Sequence, residues 1–213
     1  MIISRSHNFV FIHIAKNGGT SVESVLKQYG IKGLNRTHLN EAISMLPYQR
    51  APENMVHPPH MNACWIRDRI GHDIFDNMFT FAIVRNPFDQ MVSRYEYVRQ
   101  NKRHHSHRAA ARLNFSDFLT IQRWRNWNFT KTQHSKVADK QGNIVVKKIY
   151  RFECFSEILP DVTSILGLPQ PDIMPHSNAS ERKPYQEYYD KSSRHFVEKH
   201  FRKDLEFFEY SFD

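Results

Sequence analysis

Asn8-Phe9-Val10-Phe11-Ile12-His13-Ile14-Ala15-Lys16-Asn17-Gly18-Gly19-Thr20-Ser21 is the stretch on which the reading of this chain turns. Residues 8–14 form an apolar run of strand length, and a helical pattern opens at Val22. Between them stand a lysine, two adjacent glycines and two hydroxyls. The glycines let the backbone turn tightly and approach a ligand closely. A helix starting there directs unpaired N–H groups, and the positive end of its dipole, into the turn. Lys16 adds a point charge, and Thr20 and Ser21 add two hydroxyl donors. The combination is a seat for a phosphate-like or sulfate-like anion.

The nucleotide-binding P-loop, G-x-x-x-x-G-K-S/T, has a different order. Here the lysine precedes the glycine pair, and no second glycine lies upstream. A Gly-Gly that merely turns a strand into a helix is the plainer alternative. A second stretch argues against that plainer reading: Phe79-Thr80-Phe81-Ala82-Ile83-Val84-Arg85-Asn86-Pro87-Phe88-Asp89-Gln90-Met91-Val92-Ser93-Arg94-Tyr95. Its apolar run is short enough for a central strand and ends in Arg85. Pro87 stands where a helix would begin. An arginine at the end of a parallel strand lies where open α/β sheets bind ligands. Its planar fork suits a phosphate, and Ser93 in the following helix can donate to the same group. The plainer alternative is an Arg85–Asp89 ion pair.

Taken together, Ala15-Lys16-Asn17-Gly18-Gly19-Thr20-Ser21 resembles the 5′-phosphosulfate loop, P-K-T-G-G-T-S, of sulfotransferases that use 3′-phosphoadenosine 5′-phosphosulfate (PAPS). The run from Arg85 through Ser93 to Tyr95 resembles their 3′-phosphate motif, R-D/N-P-x-x-x-x-x-S-x-Y. The likeness is greatest to the carbohydrate sulfotransferase branch and its short, bacterial-type members. It extends to Gln133, to Tyr150-Arg151-Phe152-Glu153, and to a tail of the form N-x-S-x-R/K…Y at Asn178-Ala179-Ser180-Glu181-Arg182. The departures are Ala15 for proline, Asn17 for threonine and Gln90 where arginine is common. None removes a charged ligand, and Asn17 keeps a side-chain donor.

The resemblance implies an α/β fold of P-loop-like, three-layer type, with a central parallel β-sheet flanked by helices. It implies one sulfotransferase domain spanning residues 1–213, and PAPS as sulfuryl donor with no metal required. Lys16, Asn17, Gly18, Gly19, Thr20 and Ser21 would hold the 5′-phosphosulfate, and Arg85 and Ser93 the 3′-phosphate. Ser180 and Arg182, in a loop that folds over the nucleotide in the resembled family, are further cofactor candidates. Lys16 would stabilise the leaving oxygen as the S–O bond breaks. The acceptor hydroxyl needs a general base. Among 13 histidines the choice is His60, which follows Pro58-Pro59 and matches the family's G/P-H-x-x-A pattern. His57 and His38 stand in reserve, and Glu23 and Glu153 are carboxylate alternatives. His13, inside the first strand, reads as a satisfied core residue.

Composition agrees with this reading. At 213 residues with 40% hydrophobic and 13% aromatic content, the chain can bury a substantial core. A net charge of +8 implies an anionic partner. Basic residues concentrate from Arg99 to Lys136, with His104, His105 and His107 and with Trp124, Trp127 and Phe129 interleaved. The plainest reading of the mixture is a solvated face with a few core aromatics; it also suits a sugar-stacking groove for a carbohydrate acceptor, including an anionic glycan. A nucleic-acid-binding module is the alternative of another class, and a protein or small-molecule acceptor is an alternative within the family. A kinase-like phosphoryl transferase is disfavoured by the displaced lysine. No run approaches the ~20 apolar residues of a membrane span, and no signal-peptide pattern is read at the N-terminus, so the expected location is the cytoplasm. Cys64 and Cys154 have no metal-ligand spacing and read as buried packing residues.

The pattern predicts strands at 8–14, 79–84 and 144–152, and a hairpin turn at Lys140-Gln141-Gly142-Asn143. Helices are predicted at 20–29, 60–70, 88–100, 116–125 and 155–166, followed by one long helix from about Pro184 to Phe208. The basic stretch 101–114 is predicted to be loop. Alternating strands and helices argue for a parallel sheet covered on both faces.

Overall fold

The computed structural model describes residues 1–32, 60–125, 131–171 and 182–213. The chain divides into two compact units, Met1–Val84 with Ser135–Ser177, and Arg85–His134 with Asn178–Asp213.

The first unit is built on a five-stranded sheet in the order β3-β1-β2-β4-β5. Its strands are β1 (Ile2–Ser4), β2 (Phe9–Ile12), β3 (Ile31–Lys32), β4 (Phe79–Val84) and β5 (Lys148–Arg151). The centre is parallel as expected: Phe9 pairs with Phe79 and Ile12 with Ala82, and β5 runs parallel along β4 from Phe81↔Lys148 to Val84↔Arg151. β1 and β3 extend the sheet with antiparallel pairs. The link from β1 to β2 is too short for a crossover, so that pair can only be antiparallel. It turns through Asn8, which takes a φ of 53°, a left-handed value that asparagine tolerates better than most residues.

Every residue of β2 is buried, as a strand covered on both faces requires. Phe9, Phe11, Phe81 and Ile83 point to one face. There they pack with Val22 and Leu26 of the Gly19–Leu26 helix and with Ile158, Leu159 and Val162 of the Phe155–Leu166 helix. The alternate residues Val10, Ile12, Ala82 and Val84 are buried too. The His72–Asn77 helix packs against β4 and buries Phe75. The hairpin predicted at residues 140–143 is present: Asp139 N–H donates to Asn143 O at 2.9 Å, and Ala138 bridges Ile144.

The second unit is helical. Pro87–Gln100, His107–Arg112, Phe115–Arg125, Lys191–His200 and Arg202–Phe207 are its α-helices. Its core joins Phe88, Met91, Val92 and Tyr95 to Phe115, Phe118, Val197 and Phe201. Pro87 occupies the first turn as expected, and Asn86 caps it by accepting the Phe88 N–H at 3.0 Å. Two expectations are corrected in this unit. The basic stretch holds a helix at His107–Arg112. The long terminal helix is three pieces, a 3-10 turn at Tyr185–Tyr188 followed by the last two helices. Tyr188 donates its hydroxyl to Glu96 and Tyr189 to the Phe88 carbonyl, which holds the backbone out of helical register. The helix then restarts at a capping box between Asp190 and Ser193.

In the first unit, the helix predicted from His60 begins at Ala63, and the strand predicted over 144–152 is shortened to Lys148–Arg151. Cys154 is exposed and Cys64 half-buried, so neither is the packing residue expected.

Leu159 is fully buried in the sheet–helix core of the first unit. Leu159→Ala should lower unfolding stability by about 2–5 kcal/mol through lost transfer energy and a residual cavity, read by chemical denaturation.

Candidate active site

In the first unit the chain leaves β2 at Ile12 and curls before entering the Gly19–Leu26 helix. Lys16 has a φ of 70° and Gly18 a φ of 75°, one on either side of Asn17. A lysine in the left-handed region is uncommon, and such residues concentrate where backbone shape serves binding. Left-handed residues within a turn curl successive N–H groups toward a common point, the arrangement that binds anions. Asn17 is buried and its Nδ2 donates to Ile83 O at 2.8 Å, which ties the loop to β4. Its amide therefore serves as an anchor. Gly18 O accepts from Ser21 N–H at 3.0 Å and from Val22 N–H at 3.4 Å. Among the described residues no hydrogen bond occupies the N–H groups of Gly19 and Thr20, so they remain for a ligand.

Both glycines are fixed by their neighbours as well. A Cβ on Gly18 would lie 2.6 Å from the Phe155 ring, and one on Gly19 would lie 2.2 Å from the His13 ring. His13 is thus a floor beneath the loop. Its Nδ1 lies 2.9 Å from Glu23 Oε1, a buried carboxylate that also meets the Met1 amino group. Burial alone would raise the Glu23 pKa. The hydrogen bonds from His13 and the amino group outweigh it and hold the carboxyl well below its usual range. Glu23, one of the alternative bases, is thereby already occupied as an ion-pair partner.

His60 stands against this floor. Its ring meets the His13 ring edge-on, with centroids 4.7 Å apart, and its Nδ1 lies 3.1 Å from the His13 carbonyl. A carbonyl only accepts, so the Nδ1 of His60 carries the hydrogen and Nε2 keeps the lone pair. Surrounding protein atoms, and then the charges of His13, the amino terminus and Lys136, lower its pKa to about 4. Lys136 Nζ donates to the His60 carbonyl at 3.0 Å. His38 and His57 lie outside the described residues.

In the second unit, Arg85 is buried directly after β4. Its Nε and Nη2 reach Asp89 Oδ2 at 2.7 and 2.6 Å, and Arg182 reaches Asp89 Oδ1 through its own Nη2. The Arg85–Asp89 pair considered as the plainer alternative exists, but it is half of a triad with two cations and one carboxylate. Arg182 Nη1 is buried and has no hydrogen-bond partner among the described residues. Leaving a charged donor buried and unsatisfied costs about 1–3 kcal/mol or more, so an anion is the natural complement. Ser93 lies one helical turn beyond Asp89, largely buried, and no hydrogen bond occupies its hydroxyl among the described residues. Ser180 lies outside the described residues. In the sequence Asp89 is only a possible partner of Arg85; the bridge to Arg182, 93 positions away, has no signal in spacing. Among the described residues no group of three or more His, Cys, Asp or Glu side chains could hold a metal ion, and no helix is long and apolar enough to cross a membrane.

Three outcomes check these geometries. Gly19→Ala should lower the melting temperature and weaken anion binding, because its methyl group meets the His13 ring. His60 should titrate near pH 4 rather than 6.5 by NMR of its ring protons. Because the folded pKa lies below the unfolded one, the stability contributed by neutral His60 is complete above pH 6.5 and is lost as the pH falls toward 4. His60→Gln should therefore flatten the acid limb of the stability profile in that window.

The sequence matches the family model described as "Sulfotransferase family" over residues 1–211. An uncharacterised protein of Archaeoglobus fulgidus is 29% identical over 112 residues, which are 52% of this chain and 85% of that protein. The fold is similar to that of mouse sulfotransferase SULT7A1, solved in complex with PAP, with a TM-score of 0.59 and 14% identity over 95% of this chain and 86% of that one. It is also similar to a sulfotransferase from Alicyclobacillus acidocaldarius, with a TM-score of 0.56 and 16% identity over 98% of both chains. With the family model matched across nearly its whole length, the chain belongs to the sulfotransferase family.

Proposed function

We propose that this protein transfers a sulfuryl group from PAPS to a hydroxyl of a carbohydrate acceptor by in-line displacement, the chain acting as one sulfotransferase domain. The observation that carries the donor assignment is the buried Arg182 Nη1, which has no hydrogen-bond partner among the described residues and belongs to a pair of guanidinium groups that meet at Asp89. A compact anion satisfies that donor, as the 3′-phosphate of PAPS would. Arg85, Arg182 and Ser93 hold that phosphate, with Ser180 as a further donor. The N–H groups of Gly19 and Thr20, with the Thr20 and Ser21 hydroxyls, hold the 5′-phosphosulfate. Gly18 and Asn17 shape the loop, Asn17 through its bond to Ile83. PAP bound to the mouse neighbour supports the same donor class.

In the reaction the acceptor oxygen bonds to sulfur as the bond from sulfur to the bridging phosphate oxygen breaks. The acceptor proton passes to His60 Nε2, and PAP leaves. Lys16 stabilises the charge that gathers on the bridging oxygen. This is catalysis by positioning and by charge placed where it develops, as in phosphoryl transfer. The carbohydrate acceptor, including an anionic glycan, rests on the branch that the motifs resemble and on the net charge of +8.

PAP should bind with micromolar affinity in calorimetry and be preferred over ATP·Mg²⁺. Arg85→Ala should weaken it by about 100-fold, in line with loss of a charge-assisted fork. Lys16→Ala should leave PAP binding within a few-fold while lowering turnover by about 100–1,000-fold, the scale of a lost transition-state donor. Preference for ATP·Mg²⁺, or indifference to both substitutions, would refute the donor assignment. Labelled PAPS presented with oligosaccharide, peptide and phenolic acceptors in parallel tests the acceptor class.

A further inference from the structure

We propose that Gln133 is a positioning residue for Arg85, locked in place by Asp204, so that preference for a 3′-phosphorylated nucleotide depends on a side chain that never touches it. The inference rests on the reading of Arg85 as the 3′-phosphate ligand.

Arg85 follows the last residue of β4 and precedes the Asn86 cap, so neither element's own ladder fixes its backbone. The Gln133 side chain does so. Arg85 N–H donates to Gln133 Oε1 at 2.9 Å, and Gln133 Nε2 donates to Arg85 O at 2.7 Å. Only a primary amide offers an acceptor and a donor side by side in one plane, as a neighbouring strand would. Glutamate would set a carboxylate oxygen against the Arg85 carbonyl, and asparagine is one methylene shorter. Gln133 is 1% exposed, so water does not stand in for either bond.

Gln133 is itself held. Its N–H donates to Asp204 Oδ2 at 2.7 Å and the His134 N–H to Oδ1 at 2.8 Å. Asp204 is fully buried in the Arg202–Phe207 helix. Arg94 and Lys203 supply the charges that face it. Burial raises its pKa to about 6, against the lowering effect of the two N–H donors and Arg94. The chain of contacts runs from Asp204 to the Gln133 backbone, through the Gln133 amide to the Arg85 backbone, and from the Arg85 guanidinium to Asp89. Displacing a binding group by about 1 Å can cost 100-fold, so the link is long enough to matter for a buried fork. Direct contact with the nucleotide is not part of the role.

The test compares affinities for PAP and for adenosine 5′-phosphate, which lacks the 3′-phosphate. Gln133→Glu should weaken PAP by about 10–100-fold and leave adenosine 5′-phosphate within threefold, which also shows that the variant is folded. Gln133→Met, apolar and of similar length, should act in the same direction and serves if the glutamate variant does not fold. In an Arg85→Ala background, Gln133→Glu should change PAP affinity no further, because a positioning residue has nothing left to position. Equal loss of both nucleotides, loss of neither, or a full additional loss in the Arg85→Ala background would overturn the proposal. If Arg85→Ala itself leaves the ratio of the two affinities unchanged, the 3′-phosphate reading fails first. If Arg85→Ala lowers the ratio and both Gln133 variants do not, only the positioning role fails.

Discussion

Parallel pairing of β2 with β4 is the constraint on which the rest of the structure depends. In register from Phe9↔Phe79 to Ile12↔Ala82, the two strands end at the same edge of the sheet, and the chain must leave both there. Backbone N–H and C=O groups beyond that edge have no ladder partner. They are satisfied by other means. The Asn17 side chain bonds back to Ile83 O, and the Gln133 amide closes on both backbone groups of Arg85. Carboxamides thus replace strand neighbours on both exits. What they fix is the backbone from which Lys16 and Arg85 project.

Charge is distributed on the same plan. Each unit sets a carboxylate among basic groups, the buried Glu23 with His13 and the amino group, the half-buried Asp89 with two arginines. Buried ion pairs of this sort contribute little net stability, because desolvation offsets most of their attraction. Their use here is to orient the basic groups that they meet.

Much of this was legible in the sequence, for identifiable reasons. The Lys16–Ser21 loop and Arg85 follow apolar runs whose length and bounding residues mark central strands, so their place at strand ends could be read directly. β1 and β3 could not, because two or three residues carry too little periodicity to be counted. The terminal helix misled for a different reason. Its apolar spacing is helical throughout, but the tyrosine hydroxyls of Tyr188 and Tyr189 find partners far along the chain, and tertiary bonds override local pattern. The Asp190–Ser193 capping box was in plain view and marks the true restart. Asp204 left no trace, since nothing in an Arg-Lys-Asp-Leu run separates a fully buried aspartate from a solvated one.

The depressed pKa of His60 raises a question that the same electrostatics answers. A base works best when its pKa lies near the working pH, and a value of about 4 keeps the ring neutral but makes it a reluctant proton acceptor. The depression arises from surrounding protein and from positive charge at His13, the amino terminus and Lys136. His13 is also the group that packs against Gly19, beneath the loop whose Gly19 and Thr20 N–H groups have no hydrogen bond among the described residues. An anion seated there opposes the very charges that hold the pKa down, and so favours the protonated ring. In the reaction proposed above, donor binding would thus favour proton uptake at His60. Without donor, His60 stays neutral with its hydrogen on Nδ1, bonded to the His13 carbonyl, and Nε2 ready. In the reaction proposed, the donor that supplies the sulfuryl group therefore also tunes the residue that accepts the proton.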